Sequence, residues 1–283
     1  MNIHQAANLI QQDMEMAITN LTVNGSRQNG KGDTFNNGLE AKTSLIRKST
    51  LINYIHEFVK HEMVDNNIRS ETIFPPLGQT KPELKVTGMF KQKDQDICAK
   101  PTNIGAEKTL VNWGPMVHSN LYCADGPNLS EQILSVNVRS QLSSLAKNTD
   151  TLFERMFAEA LNLHITYPKM VLGEIYIIPV YEYDETAMKH NRVAFKQSQT
   201  DLEKYINFFH FLSGRDDIDE DKHKYERCAL VIIDFSRPHA KVYKTTQELK
   251  EDGLVRQTYD TELADISTDN FISELIDIHL EDW

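Results

Sequence analysis

The order in which apolar patterns follow one another over residues 41–181 constrains the fold of this chain more than any other feature. Apolar residues recur at helical spacing from Ala41 to Val64, and two short apolar runs and the strand-like segment ILSVNVRSQ follow. A second helical pattern, TDTLFERMFAEALNLH, precedes the apolar run VLGEIYIIPVYEYD, in which Pro179 indicates an edge strand or a bulge. Helix, three strands, helix and strand in this order predict an α/β protein with a mixed sheet.

Segments on either side extend this prediction to the whole chain. Residues 3–20 have helical spacing, and the Gly- and Asn-rich segment after them breaks all periodicity, so residues 1–40 are predicted to form a helical arm and a mobile loop. Residues 41–181 form the core. Residues 182–283 contain a helical pattern, the strand CALVIIDFS and a final helix, and we expect them to pack on the core as a C-terminal α/β extension within a single domain.

Composition excludes several classes of protein. No apolar run is long enough to span a membrane, and the N-terminus lacks the basic and apolar regions of a secretion signal. The cysteines, Cys98, Cys123 and Cys228, lie far apart without a CxxC pair, which excludes a disulfide framework and a zinc ribbon. We therefore expect a cytoplasmic protein.

The net charge of −11 argues at first against a nucleic-acid partner, because phosphate contacts are made largely by Lys and Arg. The acidic residues are localised, however. No Lys or Arg follows Arg256, whereas eight acidic residues do, so residues 1–256 carry only about −3. Charge neither supports nor excludes DNA binding.

Asp96 is the first residue with a pattern suited to metal binding. In KQKDQDICAKP it follows a charged turn and precedes an apolar strand, so its carboxylate can lie at the exposed end of that strand. Magnesium uses one or two carboxylates together with phosphate oxygens, the set that phosphodiester hydrolysis requires. The alternative is that Asp96, or Asp94 in its place, caps the hairpin turn.

A strand with one polar face follows in VNVRSQ, residues 136–141. Alternation places Asn137, Arg139 and Gln141 on one face, opposite two valines. This pattern resembles the third core strand of the PD-(D/E)XK nucleases, in which an acid stands at the position of Asn137 and a lysine at that of Arg139. The order of elements over residues 41–181 is similar to the αβββαβ core of that superfamily, whose catalytic acids lie on the second and third strands. The alternative is an ordinary half-buried strand.

The resemblance implies a type II restriction endonuclease, a Mg²⁺-dependent hydrolase that cleaves double-stranded DNA at specific sites. Asp96, Asn137, Arg139 and Gln141 are then the catalytic residues. Arg139 would stabilise the transition-state charge electrostatically. It cannot readily serve as a base, because its guanidinium group keeps its proton. A palindromic target would imply a homodimer.

Asn137 departs from the family pattern because an amide brings no charge to a metal site. Some restriction enzymes take the missing carboxylate from the following helix, and Glu154 resembles such a relocated acid, with Glu159 as its competitor. The two are about 140° apart around a helix, so at most one of them faces the strand. Glu57, or alternatively Glu62, on the first long helix resembles the additional metal-binding acid of the family. Each of these glutamates can instead lie on a solvated helix surface.

The resemblance also suggests which residues contact DNA. Arg27, Asn29 and Lys31 in the first loop form a DNA-embracing arm, and Ser140 and Lys147, together with Gln141, make groove or backbone contacts.

Three further motifs carry less weight. GSRQNGKG, residues 25–32, has Walker spacing but lacks the final Ser or Thr, so no nucleotide cofactor is expected. His56 and His61 are five residues apart, where a zinc pair on a helix needs four. Glu83-Leu84-Lys85 is an ExK triplet without an upstream strand acid, and it is a secondary candidate.

Two rival functions remain open. The missing strand acid favours a DNA-binding protein that does not cleave. The acidic balance favours a protein-binding α/β module without a nucleic-acid role.

Overall fold

The computed structural model describes residues 1–281, which form both helices and strands. The α-helices are α1 (Ile3–Asn20), α2 (Gly38–Arg47), α3 (Thr50–Asp65), α4 (Gly126–Ser130), α5 (Leu145–His164), α6 (Glu185–Lys189), α7 (Leu202–Leu212), α8 (Thr246–Glu251) and α9 (Phe271–Glu281). The strands are β1 (Ile73–Phe74), β2 (Leu84–Thr87), β3 (Gln92–Gln95), β4 (Ile97–Ala99), β5 (Thr109–Leu110), β6 (Tyr122–Cys123), β7 (Leu134–Ser140), β8 (Val171–Pro179), β9 (Tyr181–Tyr183), β10 (Phe195–Gln199), β11 (Arg227–Asp234) and β12 (Lys241–Tyr243).

A six-stranded mixed sheet with the order β1, β4, β7, β8, β11, β12 forms the centre of the protein. Neighbours among β1, β4 and β7 are antiparallel, β7, β8 and β11 run parallel, and β12 returns antiparallel to β11. Helices α5 and α7 lie in the connections between the parallel strands, as parallel pairing requires. Three two-stranded sheets, β2 with β3, β5 with β6 and β9 with β10, complete the architecture. The predicted mixed α/β class is confirmed.

The central sheet is covered on both faces. Alternate residues of β7 and β8, such as Val136 and Ile175, pack with α1, α2, α3 and α9 in one apolar cluster. The other set, such as Leu172 and Tyr176, packs with α5 and α7 in a second cluster. We call these two sides the α3 face and the α5 face. Burial on both sides explains why β8 and β11 are almost continuously apolar.

The flanking regions predicted from sequence belong to the same assembly. The helix predicted over residues 3–20 is confirmed as α1, which packs on the α3 face. In the following loop Val23 and Phe35 are buried, and the bridges Val23 to Ser26 and Gln28 to Thr34 fold it back on itself. From the predicted extension 182–283, β11 and β12 join the central sheet; residues 282 and 283 lie outside the described residues.

Four details of the element predictions were wrong. The helix over residues 41–64 is divided into α2 and α3, because Ser49 adopts the left-handed backbone conformation. The charged segment before Asp96, residues 91–94, was predicted as the hairpin turn, but the turn lies at residues 88–91, and residues 97–99 belong to the central sheet as β4. The pattern TDTLFERMFAEALNLH predicts a helix capped by Thr149 or Asp150, but α5 begins at Leu145 and both residues lie within it.

The fourth detail concerns Pro179. Strand β8 lies between β7 and β11, so it is neither an edge strand nor bulged at this residue. Pro179 is tolerated because it is the last residue of β8, two residues beyond Ile177, where pairing with β7 ends. Over the described part of the chain, no helix is both long and apolar enough to cross a lipid bilayer.

Candidate active site on the central sheet

Asp96 is fixed at the point where the β2–β3 hairpin passes into the central sheet. It stands between β3 and β4, and its Oδ2 accepts a hydrogen bond of 2.9 Å from the backbone N–H of Val138 on β7. The side chain is only partly buried. This bond places Asp96 beside the segment of β7 that carries Asn137 and Arg139.

Glu174 on β8 lies next to Asn137 in the sheet. Parallel pairing makes Asn137 and Glu174 register partners, and Glu174 in turn pairs with Cys228 on β11. Glu174 is fully buried, and its Oε1 accepts a hydrogen bond of 2.7 Å from Nε of Arg139. A carboxylate therefore stands one strand away from the position where the sequence pattern lacks one.

Arg139 joins two acidic residues. Besides its bond to Glu174, its Nη2 forms an ion pair with Glu159 of α5, which also pairs with Lys93 of β3. The side chains of Lys93 and Arg139 are 27% and 20% exposed, whereas those of Glu159 and Glu174 are 6% and 0% exposed. Lys93, Arg139, Glu159 and Glu174 thus form a charged group on the α5 face that is accessible mainly from the side of its cations. The group also includes Asp96, whose charge acts on Arg139 and Glu174 from the position just before β4. We call it the Arg139 cluster.

Electrostatics in the cluster are dominated by burial. Burial raises the pKa of Glu174 to about 7, with Arg139 opposing the rise and the charge of Asp96 adding to it. Burial by itself would lower the pKa of Arg139, but Glu174, Tyr225 and Asp96 together raise it above its ordinary value. Glu174 therefore changes its charge near neutral pH while Arg139 stays cationic.

His56 of α3 is a further polar group near Asp96. Burial lowers the pKa of His56, and the charge of Asp96 opposes this shift. Its Nε2 is buried and has no hydrogen-bond partner in the described structure. A neutral imidazole next to a carboxylate can accept a proton, although the sequence analysis considered His56 only with His61, as a zinc pair whose spacing is wrong.

Unsatisfied polar atoms concentrate in this part of the sheet. Both side-chain amide atoms of Asn137, Oε2 of Glu174 and Nε2 of Gln95 are buried without a hydrogen-bond partner among the described residues. A buried polar group without a partner costs about 1–3 kcal/mol, and native proteins keep few of them outside sites that bind water, ions or ligands. Asn137, predicted as catalytic, is completely buried.

The glutamates predicted to replace the strand acid occupy different surroundings. Glu154 is exposed on α5, while its competitor Glu159 is buried against Arg139. Glu57 holds a loop in place, since its two oxygens accept from Nζ of Lys60 at 2.6 Å and from the N–H of Gly78 at 2.9 Å. Burial and the nearby Asp65 raise the pKa of Glu62, which is not part of the cluster.

Gln141 serves the structure around the start of α5. Its Oε1 accepts hydrogen bonds of 2.9 Å from the hydroxyls of Tyr176 and Tyr205, and its Nε2 donates to the carbonyl of Leu145 at 2.9 Å. It is 5% exposed. With both ends of the amide engaged inside the protein, Gln141 is not presented to a ligand.

The residues predicted to contact DNA lie on the surface in two separate places. In the first loop Arg27 and Lys31 are exposed, Arg27 bonds to the carbonyl of Asn20, and Oδ1 of Asn29 accepts from the N–H of Lys31. Lys147 is exposed in the first turn of α5, and Ser140 is partly buried at the end of β7. Ser140 directly follows Arg139 on β7, whereas no hydrogen bond or ion pair among the described residues links the first loop or Lys147 to the Arg139 cluster.

The remaining acidic alternatives are exposed or already paired. Asp94 forms an ion pair of 2.8 Å with Lys85, and Glu83 pairs with Lys81. The two charged residues of the ExK triplet, Glu83 and Lys85, therefore form ion pairs with different residues.

Sequence reasoning missed Glu174 and Lys93. Glu174 did leave a signal, because it is the one charged residue in the buried strand VLGEIYIIP, and a charge there needs a partner. Glu159 lies three residues after the buried Met156 and next to Ala160, which places it at the margin of the apolar face of α5. Lys93 has no distinguishing pattern in the sequence.

No family model, curated protein or solved structure matches this chain. Over the described residues, no group of three or more His, Cys, Asp or Glu side chains is arranged to hold a metal ion.

Proposed function

We propose that this protein is a Mg²⁺-dependent endonuclease of the type II restriction kind, acting on double-stranded DNA through the Arg139 cluster. The observation that carries the proposal is the pairing of Asn137 with Glu174, with Arg139 bonded to that glutamate. The strand that resembles the nuclease pattern lacks its acid, and the neighbouring strand supplies one on the same face. The proposal transfers the role of the missing carboxylate from Glu154 to Glu174.

The connectivity of the central sheet supports this proposal. Helix α3, strands β1, β4 and β7, helix α5 and strand β8 follow in chain order, interrupted by the small sheets, and the four strands are neighbours in that order. Asp96 immediately precedes the second of these strands, and Arg139 lies on the third. This is the arrangement that the αβββαβ resemblance leads one to expect.

The cluster offers the small number of carboxylates that Mg²⁺ needs from a protein. Magnesium needs only one or two protein carboxylates, with waters and substrate phosphates completing its shell. Asp96 and Oε2 of Glu174 are the candidate ligands, because that oxygen is buried without a partner and the charge of Asp96 acts unfavourably on Glu174. A bound Mg²⁺ would lower the pKa of an attacking water and stabilise the leaving oxygen.

The chain's own residues have separate roles in this proposal. Arg139, fixed by two carboxylates, presents a preorganised positive charge to the phosphate in its transition state. Glu159 positions Arg139 and Lys93 rather than binding metal. His56, neutral and close to Asp96, is the candidate to take a proton from the water.

Incubation of plasmid or phage DNA with the purified protein tests the proposal. Discrete fragments are expected with Mg²⁺ and none with EDTA, and Asp96→Asn should retain DNA binding without cleavage. Asp94→Asn is the matched control, since Asp94 lies two residues away, is exposed and pairs with Lys85. Intact DNA at every Mg²⁺ concentration would contradict the proposal.

A DNA-binding protein without cleavage is the second candidate. The specific observation in its favour is that Arg139 and Lys93 already neutralise Glu159, and Arg139 also engages Glu174, which leaves little negative charge for a metal. DNA retention that persists alongside uncut plasmid would favour this candidate.

A further inference from the structure

The turn between β2 and β3 presents a phenylalanine to solvent on a fixed backbone. Phe90 is 50% exposed, although its own N–H and that of Lys91 both donate to Oδ1 of Asn162, at 2.7 and 3.1 Å. The backbone carbonyl of Asn162 accepts from Met89 at 2.7 Å, and its Nδ2 donates to the carbonyl of Lys91 at 3.3 Å. Asn162 itself is 2% exposed in the last turn of α5.

The turn is also held from a second side. Nε1 of Trp113 donates to the carbonyl of Gly88 at 3.2 Å. A Cβ atom at Gly88 would collide with Asn162, and one at Gly114 would collide with the carbonyl of Met89, so both glycines permit close approach. The position of Phe90 is therefore set by the fold, while its side chain stays outside the core.

Other exposed aromatic and cationic groups adjoin this turn. Tyr122 is 49% exposed, its carbonyl accepts a hydrogen bond of 2.8 Å from Nε2 of Gln92, and Nζ of Lys108 lies 4.5 Å above its ring. Lys91 is exposed beside Phe90. Over the described residues, neither Lys91 nor Lys108 belongs to an ion pair. We call Phe90, Lys91, Lys108 and Tyr122 the turn surface.

The turn surface is connected directly to the Arg139 cluster. Strand β3 runs from the turn through Lys93 to Asp96. Asp96 is six residues after Phe90, and Gln92–Gln95 between them are extended in β3, so the two residues lie at most about 20 Å apart. This distance corresponds to at most about six base-pair steps of duplex DNA. A duplex bound at Asp96 can therefore reach Phe90.

We infer that Phe90 inserts against an unstacked base of duplex DNA bound at the Arg139 cluster, with Lys91 and Lys108 contacting the adjacent phosphates. The inference rests on the proposed function for the choice of DNA. Apolar side chains that wedge between base steps unstack them, and aromatic rings then stack on the freed base. Unpaired lysines beside exposed rings favour a polyanion with flat faces over an apolar protein partner.

Permanganate oxidation of plasmid DNA tests this inference, because permanganate attacks unstacked thymines in any sequence context. The protein is added in EDTA, so that cleavage does not contribute, and affinity for the plasmid is measured in parallel. Wild-type protein should create reactive thymines. Phe90→Ala should abolish them and weaken binding at least fivefold. Phe211→Ala is the matched control, since Phe211 is 58% exposed on α7, and it should change binding less than twofold.

Phe90→Trp serves as a second variant that keeps an aromatic ring, and it should retain both signals. Thermal melting of each variant confirms that it is folded. Reactive thymines that persist with Phe90→Ala, or an equal loss with Phe211→Ala, would overturn the inference. Plasmid that stays uncut with Mg²⁺ contradicts the nuclease proposal alone, whereas cleavage without reactive thymines contradicts the role of Phe90 alone.

Discussion

Two buried glutamates, one on β8 and one just before β11, have opposite surroundings. Both oxygens of Glu226, which precedes β11, are engaged: Oε1 with Nη1 of Arg215 at 2.7 Å and Oε2 with the N–H of Leu172 at 2.7 Å, with His164 at 3.5 Å. Glu174 has Arg139 on one oxygen and no partner on the other. Burial raises the pKa of both, but the partners of Glu226 bring its pKa below the ordinary value, whereas that of Glu174 reaches about 7.

We interpret Glu226 as a structural carboxylate and Glu174 as a functional one. A carboxylate whose hydrogen bonds are complete fastens the chain, and Arg215 also donates to the carbonyl of Ile218 in the loop before β11. A buried carboxylate oxygen without a hydrogen-bond partner, beside an Asn137 whose amide atoms also lack partners among the described residues, costs free energy. Such groups persist mainly where a ligand completes their hydrogen bonds. We therefore expect the Glu226 group to control stability and the Arg139 cluster to control activity.

The largest expected effect is on stability, at Arg215. Arg215→Ala leaves Glu226 buried without its arginine, which should lower the free energy of unfolding by about 3–5 kcal/mol. Glu174→Gln should not lower it by more than about 1 kcal/mol, because Glu174 is readily neutral in the folded protein. Denaturant unfolding of both variants provides the measurement. Equal losses would remove the distinction between the two groups.

The next effect is on rate, at Arg139. Arg139→Ala should reduce cleavage by about 10²–10³-fold, as loss of one preorganised transition-state contact does. Arg139→Lys should retain part of the activity, since lysine keeps the charge. The measurement is single-turnover cleavage of plasmid. A lysine variant as inactive as alanine would indicate bidentate DNA binding by Arg139 instead.

A third, pH-dependent effect has opposite signs at the two glutamates. The raised pKa of Glu174 contributes stability that is complete below pH 4.5 and is lost as the pH rises through about 7, and the loss amounts to about 3 kcal/mol. Glu174→Gln should remove this loss. The lowered pKa of Glu226 contributes stability that is present above pH 4.5 and is lost as the pH falls below it, so Glu226→Gln should remove this decline on the acid side. Unfolding curves from about pH 2 to 8 compare the two, and parallel profiles would contradict their assignment.

The smallest effect is expected at Glu154, the residue that the sequence favoured for the metal. Because Glu154 is exposed on α5, Glu154→Gln should leave cleavage within twofold of wild type. Glu159→Gln should reduce it more, through the position of Arg139. Plasmid cleavage under identical conditions ranks the two, and the reverse order would return Glu154 to the site.

Local patterns predicted most of the elements, because helical spacing and apolar alternation directly reflect burial on one side. They failed where tertiary contacts decide. No glycine or proline marks the break at Ser49 between α2 and α3. The pairing of Asn137 with Glu174 depends on the register between β7 and β8. Arg139 and Glu174 on these strands are 35 residues apart, so no local sequence pattern contains that register. Helix geometry established that Glu154 and Glu159 cannot both face the sheet, but only packing selects Glu159.

The central claim is that the carboxylate absent at Asn137 is supplied by Glu174. Digestion of plasmid DNA across a Mg²⁺ series, with wild type, Glu174→Gln and the control Glu154→Gln, tests it most directly. We predict discrete fragments from wild type and Glu154→Gln, and intact plasmid from a Glu174→Gln protein that is folded and still binds DNA. Cleavage by Glu174→Gln at the wild-type rate and with the wild-type dependence on Mg²⁺ would contradict the claim.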